Sequence, residues 1–224
     1  MNIAVLFGGV SPERNVSIEG GKAVIEALES KGHKVFPIDP ALGKDALVSK
    51  DQIISENRFL TAEELSKFKT RKMIECLDLD VFDEIDIAFI VLHGINGEDG
   101  KIQSLLELRG VPYTGSGVKS SSLAIDKNSS KMIFSAAGVL TPEWVILTEK
   151  DHEDYDFFEK IRAEFGNQLV VKPNDQGSTI GITIIEDGNL DDIQKAVMEA
   201  SKYSDLVLIE RYIEGQEITI GIIG

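Results

Sequence analysis

The sequence predicts an α/β chain in two parts, a parallel-sheet part followed by an antiparallel α+β part. Three observations carry this. Strand and helix signals alternate through residues 1–115, and such alternation implies a parallel sheet covered on both faces. The texture then changes after Tyr113, where a serine-rich stretch from Gly115 to Lys131 begins. Beyond it, short strands follow one another as hairpin-like neighbours between helices, which implies an antiparallel α+β unit.

Residues 3–9 read as a buried parallel strand, apolar and ended by two glycines. Ser11 and Pro12 offer an N-cap followed by proline at the first helical position. Val16, Ala23, Val24, Ala27 and Leu28 mark one face of the helix, and Gly32 ends it. Residues 34–38 form a second strand. The segment 40–84 is rich in charge, and one helix is expected in it, around residues 62–76. Residues 85–92 are a strong buried strand. A helix starts at Asp99 or Gly100, with Ile102, Leu105, Leu106 and Leu108 as its apolar positions and Gly110 as its stop. In the second part, the stretch 115–138 leads through a helix to Gly138. Strands follow at 144–147, 168–172 and 181–185, with helices at 155–165 and 193–200. The helix at 155–165 has Phe157, Phe158, Ile161 and Phe165 as its face. Strands at 206–213 and 217–223 are joined by a Glu214-Gly215 turn.

Composition narrows the function. The chain has 224 residues, enough to bury a core, and is 42% hydrophobic and 27% charged, as ordinary globular chains are. Its net charge of −15 would repel a phosphate backbone, so a nucleic-acid partner is not expected. A bound triphosphate would need local cations and backbone donors set against that field. No apolar run reaches membrane-span length and the N-terminus lacks signal-peptide features, so no membrane partner is expected. Cys76 is the single cysteine. A reducing, cytoplasmic setting follows as the simplest expectation.

Sites in parallel sheets lie at the carboxyl ends of strands. Here those ends are Gly8 to Glu13 and His93 to Gly100. The first loop is no dinucleotide fingerprint, because Val10 stands where glycine is needed. Glu13 suits the positive end of a helix and also suits a ligand ammonium. The second loop is no P-loop, because five residues separate Gly94 from Gly100-Lys101 and Ile102 replaces the hydroxyl residue. His93 at a strand tip, followed by glycines, lets backbone approach a small ligand, or is a satisfied histidine in a tight turn.

Two further segments are more specific. Lys172 ends a buried strand, where an unpaired ammonium is costly, so it is paired or faces a ligand. The loop after it, Asn174 to Thr179 with Ser178, could fold over phosphates, or the whole is an exposed hairpin with a snorkelling lysine. Glu210 closes an apolar run and could accept from an exocyclic amine, and Glu217 could bind ribose hydroxyls. By themselves they also read as solvated glutamates on an edge hairpin.

Together these segments resemble the D-alanine–D-alanine ligase family of the ATP-grasp superfamily. The stretches that carry the resemblance are Ile3 to Gly9 with Ser11, Glu13, Arg14, Val16 and Ser17, then Leu92-His93-Gly94 with Gly97 to Gly100, and Leu106 to Leu108 with Gly110 and Pro112 to Gly117. They continue through Asp126-Lys127, Val171-Lys172-Pro173, Gly177-Ser178, Leu208-Ile209-Glu210 and Glu217, in the family's order.

The resemblance implies a Rossmann-like pre-ATP-grasp domain over 1–115 and an incomplete α+β ATP-grasp domain. The latter divides into a central subdomain with the phosphate-covering loop (116–205) and the start of a C-terminal subdomain (206–224). It implies ATP-dependent ligation of two D-alanines through an acyl phosphate, for peptidoglycan precursors. D-alanine–D-lactate and D-alanine–D-serine ligases remain alternatives. Glu13 would hold the ammonium of the first D-alanine, His93 would sit near the reacting carboxylate, and Ser178 would hydrogen-bond near both. Lys127 and Lys172 would grip phosphates. Glu210 with the backbone around Tyr212 and Ile213 would hold adenine, and Glu217 the ribose. A homodimer is implied as well. The family's fold continues past Ile222-Ile223-Gly224, where magnesium ligands are expected, so the 224 residues read as a fragment that would not ligate unaided. The contrasting expectation is a non-catalytic nucleotide-binding module.

Overall fold

The computed structural model describes residues 1–49, 52, 64, 65 and 67–221. The chain forms two compact units, Met1–Ile125 and Asp126–Gly224.

The first unit contains β1 (Asn2–Leu6), α1 (Arg14–Ser30), β2 (Lys34–Ile38) and a 3-10 helix (Pro40–Asp45). After them come α2 (Arg71–Leu77), a second 3-10 helix (Asp80–Glu84), β3 (Ile87–Ile90), α3 (Lys101–Arg109) and α4 (Val118–Ile125). The three strands run parallel in the order β2-β1-β3, with Ile3 opposite both Val35 and Ile87. Alternation along β1 splits its side chains between two cores, as the two-residue period of a strand requires. Ala4 and Leu6 join Ile38, Cys76, Ile102 and Leu106 on one face. Ile3, Val5 and Phe7 join Ile18 and Ile25 on the other. The expected parallel sheet, covered on both faces, is therefore present.

Several local expectations need correction. β1 stops at Leu6 rather than Gly9, because Gly8 and Gly9 turn into positive φ (77° and 74°). Ser11 does not cap α1. The helix starts at Arg14, and Ser11 and Pro12 form the turn before it, closed by the Arg14 amide donating to the Ser11 carbonyl at 3.0 Å. The buried stripe of α1 is Ser17, Ile18, Gly21 and Ile25, with Val24 and Leu28 beside it. Val16, Ala23 and Ala27 face solvent. The stripe rotates because Phe7 packs onto Gly21, where an added Cβ would lie 2.8 Å from the Phe7 Cβ. On α3, Ile102 and Leu106 are buried, but Leu108 is 85% exposed. Of the helix expected over 62–76, residues 64 and 65 and Arg71–Leu77 are helical, with non-helical backbone at 67–70 before the latter. Residues 62, 63 and 66 lie outside the described residues.

Cys76 on α2 is fully buried. Burial first, and then the negative charge of Asp39, push its thiol up to about 12.

The first unit extends ten residues past Gly115, because α4 belongs to it: the Ser122 hydroxyl donates to the Asp99 carbonyl at 3.0 Å. The second unit contains α5 (Lys127–Ala136), β4 (Trp144–Leu147), a 3-10 helix (Glu149–Asp151) and α6 (Tyr155–Phe165). It continues with β5 (Leu169–Pro173), β6 (Thr183–Ile185), α7 (Leu190–Ala200) and β7 (Val207–Arg211). Its sheet is antiparallel in the order β4-β7-β5-β6. One face, with Leu169, Val171, Val207 and Ile209, packs on Phe158, Ile161, Phe165, Ile193 and Val197 of α6 and α7.

Here too one expectation fails. β7 is an interior strand, hydrogen-bonded to β4 and β5, and not one arm of an edge hairpin. Residues 217–221 form no strand, and 222 and 223 lie outside the described residues. Among the described residues no helix is long and apolar enough to cross a membrane.

Candidate functional site

In the first unit the candidate site is built at the carboxyl ends of β1 and β3, where parallel strands release their loops. The loop after β1 is braced from behind. The Gly8 amide donates to Ser17 Oγ at 2.9 Å, and that hydroxyl donates to the Val91 carbonyl at 2.6 Å, tying β1, α1 and β3 together. Asp39 accepts from the Gly9 and Ala41 amides and pairs with Arg14 at 2.5 Å. Arg14 also donates to the Gly9 carbonyl and stacks over Phe68. Both members of the pair are almost fully buried, so each requires the other. Gly8 has no alternative here, since a Cβ would strike both Arg14 and Asp39 at 2.8 Å.

This bracing presents Glu13, half-buried, toward the second loop. A Cβ on Gly94 would come within 3.0 Å of a Glu13 carboxylate oxygen. Glu13 thus lies directly against the residue after His93, and the two loops singled out in the sequence meet. The second loop is wound by its own acids. Glu98 accepts from the Gly94 amide at 2.7 Å, and Asp99 from the Asn96 amide at 2.9 Å. Asn96 takes a left-handed φ of 69°. Gln103, buried, donates to the Gly97 carbonyl at 2.8 Å. His93, Glu98, Gln103, Thr114 and Ser116 line a concavity of about 390 Å³.

In the second unit the site lies on the sheet face opposite the α6–α7 core. Register explains the gathering. Glu210 pairs with Trp144 on one side and Val170 on the other, and Lys172 pairs with Leu208. Lys172 and Glu210 are therefore diagonal neighbours on one face. Their side chains form an ion pair. Glu210 is 7% exposed, and its second oxygen pairs with Lys131 at 2.9 Å.

α5 is strapped to the loop after β5 at its first turn. Asp126 caps Ser129 at 2.7 Å and accepts from Asn174 Nδ2 at 2.7 Å. Asn174 in turn accepts from the Asn128 amide through its side chain and from the Lys127 amide through its carbonyl, both at 2.9 Å. This holds Lys127 over the loop, where its ammonium donates to the Gln176 carbonyl. Burial, and then the nearby Lys172 charge, lower the Lys127 pKa. The Lys127 ammonium thus feels the Lys172 charge, while each has a protein partner of its own, the Gln176 carbonyl and Glu210.

Lys127, Lys172 and Glu210 are brought together, then, as are the Glu13 and His93 loops. Ser178 sits exposed in the β5–β6 loop with a left-handed φ of 51°. Tyr212 is half-buried and its amide donates to the Gln168 carbonyl at 3.1 Å, while Ile213 and Glu217 are exposed on the segment after β7. Lys131, Asn174 and Asp126 were missed as cluster members. A signal existed for Lys131: it lies four residues after Lys127 and so on the same helical face. Among the described residues no group of three or more His, Cys, Asp or Glu side chains gathers as metal ligands.

Comparison with known proteins gives a consistent answer. The family model described as "D-ala D-ala ligase N-terminus" matches residues 2–116, and that described as "D-ala D-ala ligase C-terminus" matches residues 133–224. The D-alanine–D-alanine ligase of Halalkalibacterium halodurans is 37% identical over the whole chain, which covers 61% of that relative. The chain thus spans about 60% of the length of the curated relatives it matches. Among solved structures, the D-alanine–D-alanine ligase of Bacillus anthracis complexed with ATP aligns with a TM-score of 0.65 at 33% identity, covering 96% of this chain and 60% of that one. The VanG D-Ala:D-Ser ligase of Enterococcus faecalis aligns with a TM-score of 0.69 at 27% identity, covering 96% and 63%.

Proposed function

The chain belongs to the D-alanine–D-alanine ligase family, and on that premise we propose that the whole protein joins two D-alanines at the expense of ATP, in the cytoplasm, for peptidoglycan precursors. The observation that carries this reading is the match of both halves of the family, in order, along one chain.

The residues divide the work by charge. Glu13, placed against Gly94, is the group for the ammonium of the first D-alanine. His93, on the wall of the adjoining concavity, is placed near that substrate's carboxylate. Lys127 and Lys172 take the phosphates. The Lys127 pKa is lowered by burial first and by the Lys172 charge second, and a phosphate beside both would favour the charged form of each. Glu210 and the backbone at Tyr212 and Ile213 receive adenine, and Glu217 the ribose. Ser178, on the β5–β6 loop, is proposed to hydrogen-bond the substrate, and the loop itself to shield an acyl phosphate from water. Magnesium is proposed to accompany ATP, with its ligands in the part of the relatives' length that this chain does not span. In the whole protein the substrate-side domain is proposed to be 1–115 with α4 attached, the central subdomain to follow and to share β7 with the part that begins near 206, and two such chains to pair as a homodimer.

The test is phosphate release by the whole protein with ATP and D-alanine, with the dipeptide measured directly. Release that depends on D-alanine and yields the dipeptide supports the reading. ATP binding without turnover under any D-amino acid would favour a non-catalytic nucleotide-binding module. The likeness to the VanG ligase favours a second reading, in which the acceptor is D-serine. Competition of D-serine and D-lactate against D-alanine as acceptor separates these.

A further inference from the structure

The second unit buries a lysine that the proposed reaction does not use. Lys131 is 6% exposed, and its ammonium is held from four sides. It pairs with Glu210 Oε2 at 2.9 Å and donates to Thr141 Oγ1 at 2.7 Å and to the Pro142 carbonyl at 2.9 Å. It also lies 5.1 Å from the centre of the Trp144 ring. Trp144 is fixed in turn by its indole N–H donating to Asn128 Oδ1 at 2.9 Å. The other Glu210 oxygen belongs to Lys172, whose side chain is the more open of the two lysines, 18% exposed against 8%. One buried carboxylate is thus shared between a locked cation and a looser one.

The consequence is electrostatic. An anion arriving at Lys172 must compete with Glu210 for its ammonium. Were Lys172 the sole partner, its departure would leave a buried carboxylate uncompensated, which is strongly unfavourable. Lys131 removes that obstacle, because it stays on Glu210 whatever Lys172 does. It also leaves the three-residue cluster with one net positive charge, beside Lys127, to attract an anion.

We propose that Lys131 is a positioning residue: it holds Glu210 as a permanent counter-ion, so that Lys172 can turn from the carboxylate to a phosphate. This rests on the nucleotide-binding reading of the cluster. A lysine that merely stabilises the unit would weaken every ligand alike. The positioning role acts first on phosphates, through Lys172, whereas adenine in the proposed reading also has the backbone at Tyr212 and Ile213, and Glu210 stays paired with Lys172 in its absence, so the nucleoside should lose far less.

The test uses the whole protein and three probes, ATP, inorganic triphosphate and adenosine, titrated by calorimetry. Lys131→Gln keeps donors for Thr141 and Pro142 and removes the charge. Its dissociation constants for ATP and triphosphate should rise at least about tenfold, and that for adenosine less than about twofold. Lys131→Arg keeps the charge and should bind triphosphate within about threefold of the parent. In a Glu210→Gln background the Lys131→Gln change should add little further loss of triphosphate affinity, because its partner is gone. Equal losses for adenosine and triphosphate, equal losses in the Gln and Arg variants, or additive losses with Glu210→Gln would each overturn the positioning role. Normal triphosphate binding by Lys131→Gln would overturn it while leaving the nucleotide reading intact. A parent protein that binds neither ATP nor triphosphate would remove both.

Discussion

The two units hold charge by opposite means. In the first, Glu13 is presented by turned backbone, with Gly8, Gly9 and Gly94 all at positive φ and the buried Arg14–Asp39 pair behind them. In the second, Lys131, Glu210 and Lys172 hold one another through side chains across strands and a helix. A site at the ends of parallel strands is located by topology, so its position follows once the strands are known. A site on the face of an antiparallel sheet is located by register, and a slip of one residue would turn every group away.

Breaking the brace of the first unit should have the largest effect. Asp39→Ala strands a buried arginine and removes acceptors for the Gly9 and Ala41 amides. We expect a loss of about 3–5 kcal/mol in urea unfolding. A loss below about 1 kcal/mol would mean that glycine turns alone hold the loop. Glu13→Gln touches the presented group and not its support. It should leave stability in place and weaken D-alanine, with little change for ATP, by roughly 1.5–3 kcal/mol in kcat/KM. Unchanged D-alanine kinetics would reduce Glu13 to a charge at the start of α1.

The second unit should show its character in pH dependence. The Lys127 pKa is lowered in the free protein by burial and by Lys172. A bound anion favours the ammonium, so the ligated pKa lies above the free one. ATP affinity is then complete below the free pKa and is lost as pH rises through it, by up to about tenfold per pH unit. Because the free value is depressed, this loss should begin at lower pH than an ordinary lysine would give. Lys127→Met should bind more weakly and flatten the profile. A profile identical in the two proteins would place the phosphate contact elsewhere. The smallest effect is expected at Leu108, where Leu108→Gln on the exposed side of α3 should shift stability by no more than about 0.5 kcal/mol. A larger loss would restore Leu108 to the core face.

The sequence was most legible where composition and period decide structure. The three strands of the parallel sheet, α6 with its Phe158–Ile161–Phe165 stripe, and the two strand-end loops follow from apolar runs and glycines. The α1 stripe was misjudged because Gly21 is buried for its lack of a side chain, which an apolar count cannot register. The place of β7 inside the sheet was not visible, since its partners β4 and β5 are distant in sequence and Glu217 suggested a nearer one. Lys131 was missed because one charged residue in a serine-rich stretch looks solvated until the strand carrying Glu210 is laid against it.

Cys76 gives the first unit a clock of its own. It is the single cysteine among the 224 residues, fully buried, with its thiol pushed up to about 12. At neutral pH the native thiol is almost wholly protonated and shielded, so an alkylating reagent reaches it only when the core around α2 opens. The labelling rate of this one atom therefore counts opening events. Its slowing on addition of a ligand would report, without any enzymatic readout, how strongly the occupied loops close the core behind them.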